Sequence, residues 1–333
     1  MRKQPPKRDF NFFIDEYFSY CQSRRLRHKT MQSYEQTLRL FERWTREHEG
    51  KESPLEVKEA TIHKYICEIQ ERGKYSFYAD ADRTNTNRPD RRRDFRDTVS
   101  TTTINNYLRN LRAFFNWLYE DRPEKRNPMR KIRLLENDRK PKEYLDDQEV
   151  RKLLYHLDTS YFPENRDRTV ITLILDSGMR IGECLQLRLE HLNMKERAIE
   201  IPADITKGRK ARRVFFSGKT ARTLHSWMQF KDRYIDSDYL FPVKATGEPV
   251  EVSTFETNFR RYVCRAGIEK SVSPHALRNN FAKRCLLAGM DIYTLSRILG
   301  HSSVTVTEKA YLDLTDQDLK HRYDNFSPIE NLK

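Results

Sequence analysis

The stretch Ser177-Gly-Met-Arg-Ile-Gly-Glu-Cys-Leu-Gln-Leu187 follows a dense apolar run over residues 170–175. The run and its flanks predict a buried helix, and the stretch marks where that helix ends and a turn begins. Arg180 would then face the domain surface, where its planar fork is free to bind two phosphate oxygens. Glu183 comes three residues later on the same helical side and is placed to orient that guanidinium. An ordinary surface ion pair has the same pattern, so the stretch alone only suggests a site.

Two later motifs place polar side chains at the starts of helices. Residues 273 and 274, a serine and a proline, precede His275-Ala-Leu-Arg278 and predict a helix with the serine as its cap. The spacing of three residues puts an imidazole and a guanidinium on one helix face. Further on, Leu299-Gly-His-Ser-Ser303 ends one helix and begins the next. That last helix carries Tyr311, ten residues after His301.

A basic hairpin is predicted between these motifs. Residues 198–201 and 213–216 are typical of two short strands, joined by a turn at Gly208. Several cations crowd the turn and would bring it towards DNA: Lys207, Arg209, Lys210 and Arg212. Lys207 matches the end of the first strand best, and Lys210 is the second choice for a functional lysine.

The first part of the chain predicts a small helical bundle. Apolar residues recur at helical spacing in four segments, near residues 10–21, 31–44, 62–69 and 104–118, and the third segment stops at Gly73. We expect the aromatic residues on these stripes to form a core. Residues 80–97 have almost no apolar side chain and predict a long loop. This loop is either a solvated, self-neutralising insertion or a phosphate contact through Arg91, Arg92 and Arg93.

A basic, proline-interrupted segment follows over residues 128–142 and predicts an extended linker. Its cations are candidate DNA contacts, among them Arg130, Lys131, Arg139 and Lys140. A new helix then begins at Asp146, which forms a capping-box pattern with Glu149. We therefore predict a helical DNA-binding domain over residues 1–140 and a catalytic domain over residues 141–333.

The composition favours a nucleic-acid partner. Among 333 residues, 63 Lys and Arg against 49 Asp and Glu give a net charge of +14. Such a surface suits a polymer with one negative charge per ~1.7 Å of axis, although a merely basic soluble protein has the same composition. No stretch approaches the roughly 18 apolar residues of a membrane span, so we expect a cytoplasmic, nucleoid-associated protein. The five scattered cysteines lack CxxC spacing and predict neither a disulfide framework nor a zinc site.

Taken together, these motifs resemble the tyrosine recombinases, the integrase family of site-specific DNA recombinases. The resemblance implies a mainly α-helical (α+β) catalytic domain with a small sheet, joined to a helical, SAM-like core-binding domain in a C-shaped clamp. It also implies that Tyr311 attacks a phosphodiester and forms a 3′-phosphotyrosyl link, while Lys207 protonates the departing 5′ oxygen. The remaining catalytic positions would be filled by Arg180, His275, Arg278 and His301, the last a histidine where relatives have tryptophan. No metal or cofactor is expected.

The family likeness further implies partners and a reaction pathway. Four protomers would assemble on two double-stranded DNA recombination sites, with no membrane involved, and exchange strands through a Holliday junction. Residues 316–333 would dock on the adjacent protomer, and accessory proteins are left open. Integration, excision or transposition of a mobile element is the first reading, and Xer-like dimer resolution is the second. A type IB topoisomerase and a catalytically silent DNA-binding accessory protein are further alternatives.

Overall fold

The computed structural model describes residues 8–77, 92–122, 126–136, 143–206, 208–301, 303–311, 320 and 323, and only the backbone of residues 309–311. The chain forms two compact units, residues 1–139 and 140–333. Along the described segments, no helix is long and apolar enough to cross a membrane.

The described residues of the first unit form four α-helices, and they fall where the apolar spacing predicted them. They are α1 (Phe10–Ser23), α2 (His28–Glu49), α3 (Glu59–Arg72) and α4 (Thr101–Glu120). Local capping sets their ends: the side chain of Asp9 accepts the Phe12 amide at 2.9 Å at the start of α1. Gly73, with φ +77°, ends α3 as predicted.

Aromatic rings fill the core of this unit, as the sequence predicted. Phe41 is fully buried and packs edge-to-face on Tyr65, with ring centroids 4.9 Å apart. It also meets Phe10 and Phe115 edge-to-face at 6.1 Å each. Such edge-to-face pairs add to the stabilisation from apolar burial, because the positive edge of one ring faces the negative face of another.

The segment after α4 departs from the prediction of an extended linker beginning at residue 128. Met129 and Ile132 are buried in the core of the first unit. The Asn105 side chain donates to the carbonyl oxygen of Leu135 at 2.9 Å and accepts its amide at 2.8 Å. Residues 128–135 therefore belong to the first unit. The predicted first domain, residues 1–140, included this segment, but its packing on the core was not predicted, because the basic residues and prolines were weighed and these apolar side chains were not.

In the part of the second unit that the structure describes, the fold is mainly helical with one small sheet, which confirms the predicted fold class. Its helices are α5 (Asp147–Tyr155), α6 (Phe162–Ser177), α7 (Ile181–Leu185), α8 (Gly218–Lys231), α9 (Val252–Arg265), α10 (Pro274–Leu287), α11 (Ile292–Leu299) and α12 (Val304–Tyr311). Its strands are β1 (Leu192–Asn193), β2 (Ala198–Ile201) and β3 (Arg212–Phe215). All pairings are antiparallel, in the order β1-β2-β3. The two-residue strand β1 was not predicted.

Helix α6 runs through the core of this unit and packs against α8 and α10. Four consecutive or near-consecutive residues of it are completely buried: Val170, Ile171, Leu173 and Ile174. Because this part of the helix is buried on most sides, it needs little polar surface, and only Thr172 interrupts the apolar run over residues 170–175. The unit begins with the predicted capping box. Asp146 accepts the Glu149 amide at 2.9 Å, and Glu149 accepts the Asp146 amide at 2.8 Å.

Candidate active site

The C-terminal end of α6 sets the position of Arg180. Gly178 follows the helix with φ +67°, a left-handed conformation that disfavours residues with a Cβ. A Cβ there would lie 2.3 Å from the Phe281 ring, so the glycine also allows α10 to approach. The chain turns sharply and leaves Arg180 as the N-cap residue of the short helix α7. Its side chain is 27% exposed.

Glu183 is the buried anion of the site. Its side chain is only 2% exposed, and its Oε1 accepts Arg180 Nη1 at 2.9 Å while its Oε2 accepts the Arg180 amide at 3.0 Å. Burial raises the pKa of this carboxyl, but the hydrogen bonds and charge of Arg212, followed by those of Arg180, outweigh it and hold the pKa below its ordinary value. The carboxylate is ionised and orients Arg180, which is the contact that the sequence predicted.

Arg212 occupies a different place from the one predicted for it. Its side chain is 10% exposed, and Nη1 and Nη2 both bind Glu183, at 3.0 Å and 2.5 Å. Its Nε donates to the carbonyl oxygen of Ile298 in α11 at 3.2 Å. A guanidinium held in this way does not present its fork to DNA, so the expected DNA contact is corrected. Alternation along β3 was the overlooked signal, because residue 212 shares the inward side with the buried Val214.

Arg278 is buried on α10 and holds two helix ends together. It is 2% exposed, and its Nη1 donates to the Gly178 carbonyl oxygen at 2.8 Å while Nη2 donates to the Leu299 carbonyl oxygen at 2.7 Å. These carbonyls end α6 and α11, where helices leave acceptors unsatisfied. The residue at position 273 stands at the N-cap as predicted, although its side chain makes no capping bond.

His301 is neutral and has a defined tautomer. Its Nε2 lies 3.0 Å from Arg278 Nη2 and its Nδ1 lies 2.7 Å from Thr307 Oγ1. Because a guanidinium can only donate, Nε2 is the acceptor and Nδ1 carries the proton. Burial lowers the pKa of His301 to about 4, together with positive charges close by. The guanidinium groups are those of Arg278, Arg180 and Arg212, and His275 makes the smallest contribution to the shift.

The predicted residues Arg180, His275, Arg278 and His301 lie in one neighbourhood. Among the described side chains named here, three guanidinium groups and the carboxylate of Glu183 sum to two positive charges, since His301 is neutral. His275 lies exposed in the first turn of α10. In the described residues, no cluster of three or more His, Cys, Asp or Glu side chains could hold a metal ion. The positive charge that a phosphodiester would meet here comes from arginine.

The hairpin turn and α12 complete the set. Lys207 lies outside the described residues. Beside it, the buried Thr206 fixes the turn, since its hydroxyl donates to the Ala203 carbonyl oxygen at 3.0 Å and accepts the Lys210 amide at 3.1 Å. Arg209 and Lys210 are exposed. Tyr311 is the last residue of α12, as predicted for the helix that follows His301.

The candidate DNA contacts of the first unit are partly described. Arg92 and Arg93 are exposed, and the Arg92 guanidinium lies 4.2 Å from the centre of the Tyr75 ring. Arg130 and Lys131 are also exposed. The other predicted contacts of this set, Arg91, Arg139 and Lys140, lie outside the described residues.

Comparison with family models identifies the class of protein. The model of the phage integrase family matches residues 143–318, more than half of the chain. The chain belongs to the phage integrase family. A model of the phage integrase N-terminal SAM-like domain also matches residues 14–81. The predicted family and the predicted enzyme class are confirmed: the protein is a tyrosine recombinase.

Three known proteins illustrate the likeness. Tyrosine recombinase XerC of Thermodesulfovibrio yellowstonii is 29% identical over 240 residues, 69% of this chain and 77% of the relative. The Tn1549 transposon integrase in complex with transposon right end DNA has a TM-score of 0.70 and 20% identity, and the match covers 95% of this chain and 99% of the other. A lambda integrase tetramer bound to a Holliday junction has a TM-score of 0.67 and 14% identity, over 91% and 77% of the two chains. The last two likenesses establish the fold.

Proposed function

We propose that this recombinase performs conservative, site-specific DNA strand exchange with Tyr311 as its nucleophile. The observation that carries the proposal is the arginine cluster of the second unit. Arg180 and Arg278 lie with the neutral His301 in one neighbourhood, and the helix that begins after His301 ends at Tyr311. A phosphodiester bound there would meet a net positive charge, and α12 would bring the phenol of Tyr311 to it.

The cleavage step balances without a cofactor. The Tyr311 Oη attacks the phosphorus, the bond from phosphorus to the 5′ oxygen breaks, and a 3′-phosphotyrosyl ester forms. The phenol passes its proton to the imidazole of His275, the proposed acceptor, as it attacks, and Lys207 supplies a proton to the departing 5′ oxygen. Attack by a 5′-hydroxyl on the phosphotyrosyl ester reverses the step and rejoins the strands. Because the ester bond is exchanged rather than hydrolysed, no external energy source is required.

Each arginine contributes by stabilising the charge that develops on the phosphate. Preorganised donors of this kind are worth roughly 10²–10³ in rate when one is removed. Arg180 is partly exposed and held by Glu183, so its orientation is set before DNA arrives. The neutral His301 accepts from Arg278 and leaves the charge of that guanidinium undiminished. His275, exposed on the same helix, is proposed as the residue that holds or relays protons at the phosphate.

A nicked suicide substrate tests this chemistry. On a cognate site mapped by footprinting, the wild-type protein should form a covalent complex that survives denaturation, and Tyr311→Phe should bind the same DNA but form none. Absence of any covalent complex on a verified site would refute the proposal. If Tyr311→Phe still cleaves, the nucleophile has been assigned to the wrong residue.

DNA binding would rest on exposed cations of both units. We propose Arg92, Arg93, Arg130 and Lys131 of the first unit and Arg209 and Lys210 of the hairpin, together with Arg91, Arg139 and Lys140. Each phosphate contact that is removed should lower the slope of log affinity against log salt by about 0.9. A substitution that weakens binding without changing this slope would mark a base contact or no contact.

Two biological roles have support from different relatives. The transposon integrase neighbour favours integration or excision of a mobile element, and the XerC relative favours resolution of chromosome or plasmid dimers. Selecting the preferred site from random DNA and locating it separates them: a site at the ends of an element supports the first role, and one chromosomal site supports the second. Recombinant products rather than relaxed topoisomers would exclude a topoisomerase-like reaction.

Assembly is proposed to follow the tetrameric arrangement of the lambda integrase neighbour. Residues 316–333 would dock on an adjacent protomer and link four copies on two sites. A chain truncated after residue 315 should then cleave a single suicide site and fail to form paired-site complexes. Full synapsis by the truncated chain would remove the tail from the assembly.

A further inference from the structure

We propose that Arg212 is a positioning residue of the cleavage reaction: it fixes Glu183, and through Glu183 the guanidinium of Arg180, at the junction of α7, β3 and α11. This inference rests on the proposed function. Arg212 would act without touching DNA or the reacting atoms.

The hydrogen bonds around Glu183 carry the first step. Each carboxylate oxygen has two donors, one from each arginine: Oε1 accepts Arg180 Nη1 and Arg212 Nη1, and Oε2 accepts the Arg180 amide and Arg212 Nη2. A carboxylate that is 2% exposed has no water shell to hold it in place, so these donors fix its rotation. Without Arg212, half of them are lost, and the carboxylate is free to turn away from Arg180.

The charge balance around Glu183 gives a second reason for the role of Arg212. Arg180 paired with Glu183 alone would be a neutral pair, and its attraction for a phosphate would be largely cancelled. Arg212 supplies a second guanidinium to the same carboxylate, which leaves the group with one positive charge. Of the two arginines, Arg180 is the more exposed, at 27% against 10%. The excess charge is therefore available on the side chain that can reach the substrate.

The third contact of Arg212 connects the elements that carry other catalytic residues. Its Nε donates to the Ile298 carbonyl oxygen, three residues before His301. Its stem passes over Gly300, where a Cβ would lie 2.6 Å from the Arg212 Cδ. The same side chain thus ties the strand that follows the Lys207 turn to the end of α11. A lysine has one Nζ and cannot bridge both oxygens of Glu183 and this carbonyl.

The test compares neighbouring arginines of β3. Arg212→Lys keeps the charge and removes the fork. Arg213→Lys is the matched control, because Arg213 is 41% exposed and pairs with the exposed Glu196. Single-turnover covalent complex formation is measured at saturating protein on the nicked substrate, with DNA affinity and the thermal midpoint measured in parallel. We expect Arg212→Lys to slow cleavage about 10²-fold, the cost of a misplacement of about 1 Å, with affinity within twofold. Arg213→Lys should leave both within twofold.

The pH profile separates positioning from a general loss of structure. Arg212 contributes the strongest interaction that lowers the pKa of Glu183, and the Arg180 contacts are the weaker ones. In Arg212→Lys the pKa of Glu183 should therefore be higher. The pH below which the cleavage rate falls should rise with it. In Arg213→Lys it should stay in place. Combining Arg212→Lys with Glu183→Gln should slow cleavage no more than the slower single variant, because both act through one contact.

The possible outcomes distinguish a positioning role of Arg212 from a DNA contact and from a role in folding. Equal cleavage rates for Arg212→Lys and Arg213→Lys would overturn the inference. Weakened DNA affinity with a reduced salt slope would make Arg212 a phosphate contact instead. If Arg212→Lys and Arg212→Gln both lower the thermal midpoint, and the acidic side of the pH profile of the cleavage rate does not shift, Arg212 serves folding alone. If the wild-type protein forms no covalent complex, the proposed function itself fails, and that outcome is seen before any variant is compared.

Discussion

Replacing Arg278 by lysine should destabilise the second unit far more than a charge-conserving substitution normally does. The guanidinium donates to carbonyl oxygens at the ends of two helices, to Gly178 at 2.8 Å and to Leu299 at 2.7 Å, and it meets His301 at 3.0 Å. The residue is 2% exposed, so water cannot replace these bonds. A lysine Nζ can reach one of the two carbonyls at best.

The size of the effect follows from those contacts. A hydrogen bond to a charged group contributes about 1.5–3 kcal/mol, and a buried acceptor left without a donor costs about 1–3 kcal/mol. Losing one carbonyl contact and the His301 contact should lower the free energy of unfolding by about 2–4 kcal/mol. For a unit of this size, each kcal/mol lowers the midpoint by about 2–4 °C, which predicts a shift of roughly 5–15 °C.

Differential scanning calorimetry of the full chain measures the shift, with the transition of the first unit as an internal reference. Arg284→Lys is the control on the same helix: its side chain is 44% exposed and pairs with Asp147 at 2.6 Å. A surface pair of this kind contributes about 0–1 kcal/mol, and lysine keeps the charge. If Arg278→Lys shifts the midpoint no further than Arg284→Lys, the bridge between helix ends does not stabilise the unit.

Three further outcomes are expected. Gly178→Ala should cost about 2–5 kcal/mol in chemical denaturation, because strain at positive φ is added to overlap with Phe281, whereas Gly267→Ala, at φ +66° with open space around it, should cost about 1–2 kcal/mol. The free energy of unfolding should fall on the order of 2–3 kcal/mol as pH drops from about 6.5 to about 4, because His301 binds a proton in the unfolded chain but not in the folded one. His301→Gln should reduce this pH dependence above pH 5. Asn105→Ala should lower the midpoint of the first unit by removing both contacts to the segment after α4, an effect of about 1–3 kcal/mol.

The sequence predicted those features that depend on neighbouring residues. Gly73 and the capping box of Asp146 and Glu149 were found because a helix end is decided by the few residues that can reach its free amides and carbonyls. The four helices of the first unit were found because their apolar spacing repeats over several turns. Strand β1 was missed, since two residues carry no period that could be recognised.

Contacts between distant residues were the part that the sequence did not yield. Arg209 and Arg212 stand in one basic run, and only the fold makes one exposed and the other buried against Glu183, 29 residues away. The bond from Arg278 to the Gly178 carbonyl spans 100 residues. Nothing local distinguishes an arginine that meets phosphate from one that satisfies a helix end, because both need the same fork.

The three arginines of the site therefore have different roles, which the sequence alone does not distinguish. Arg278 satisfies two helix ends, so part of its importance lies in folding, and in the proposed reaction it would also bring a buried charge near the phosphate. Arg212 holds the carboxylate, and its contact with α11 ties the hairpin to the helices that lead to Tyr311. Arg180 is oriented by Glu183 and is the most exposed of the three, at 27% against 10% for Arg212 and 2% for Arg278. In the proposed reaction, this exposure, rather than position in the motif, would make Arg180 the guanidinium best placed to bind the scissile phosphate first.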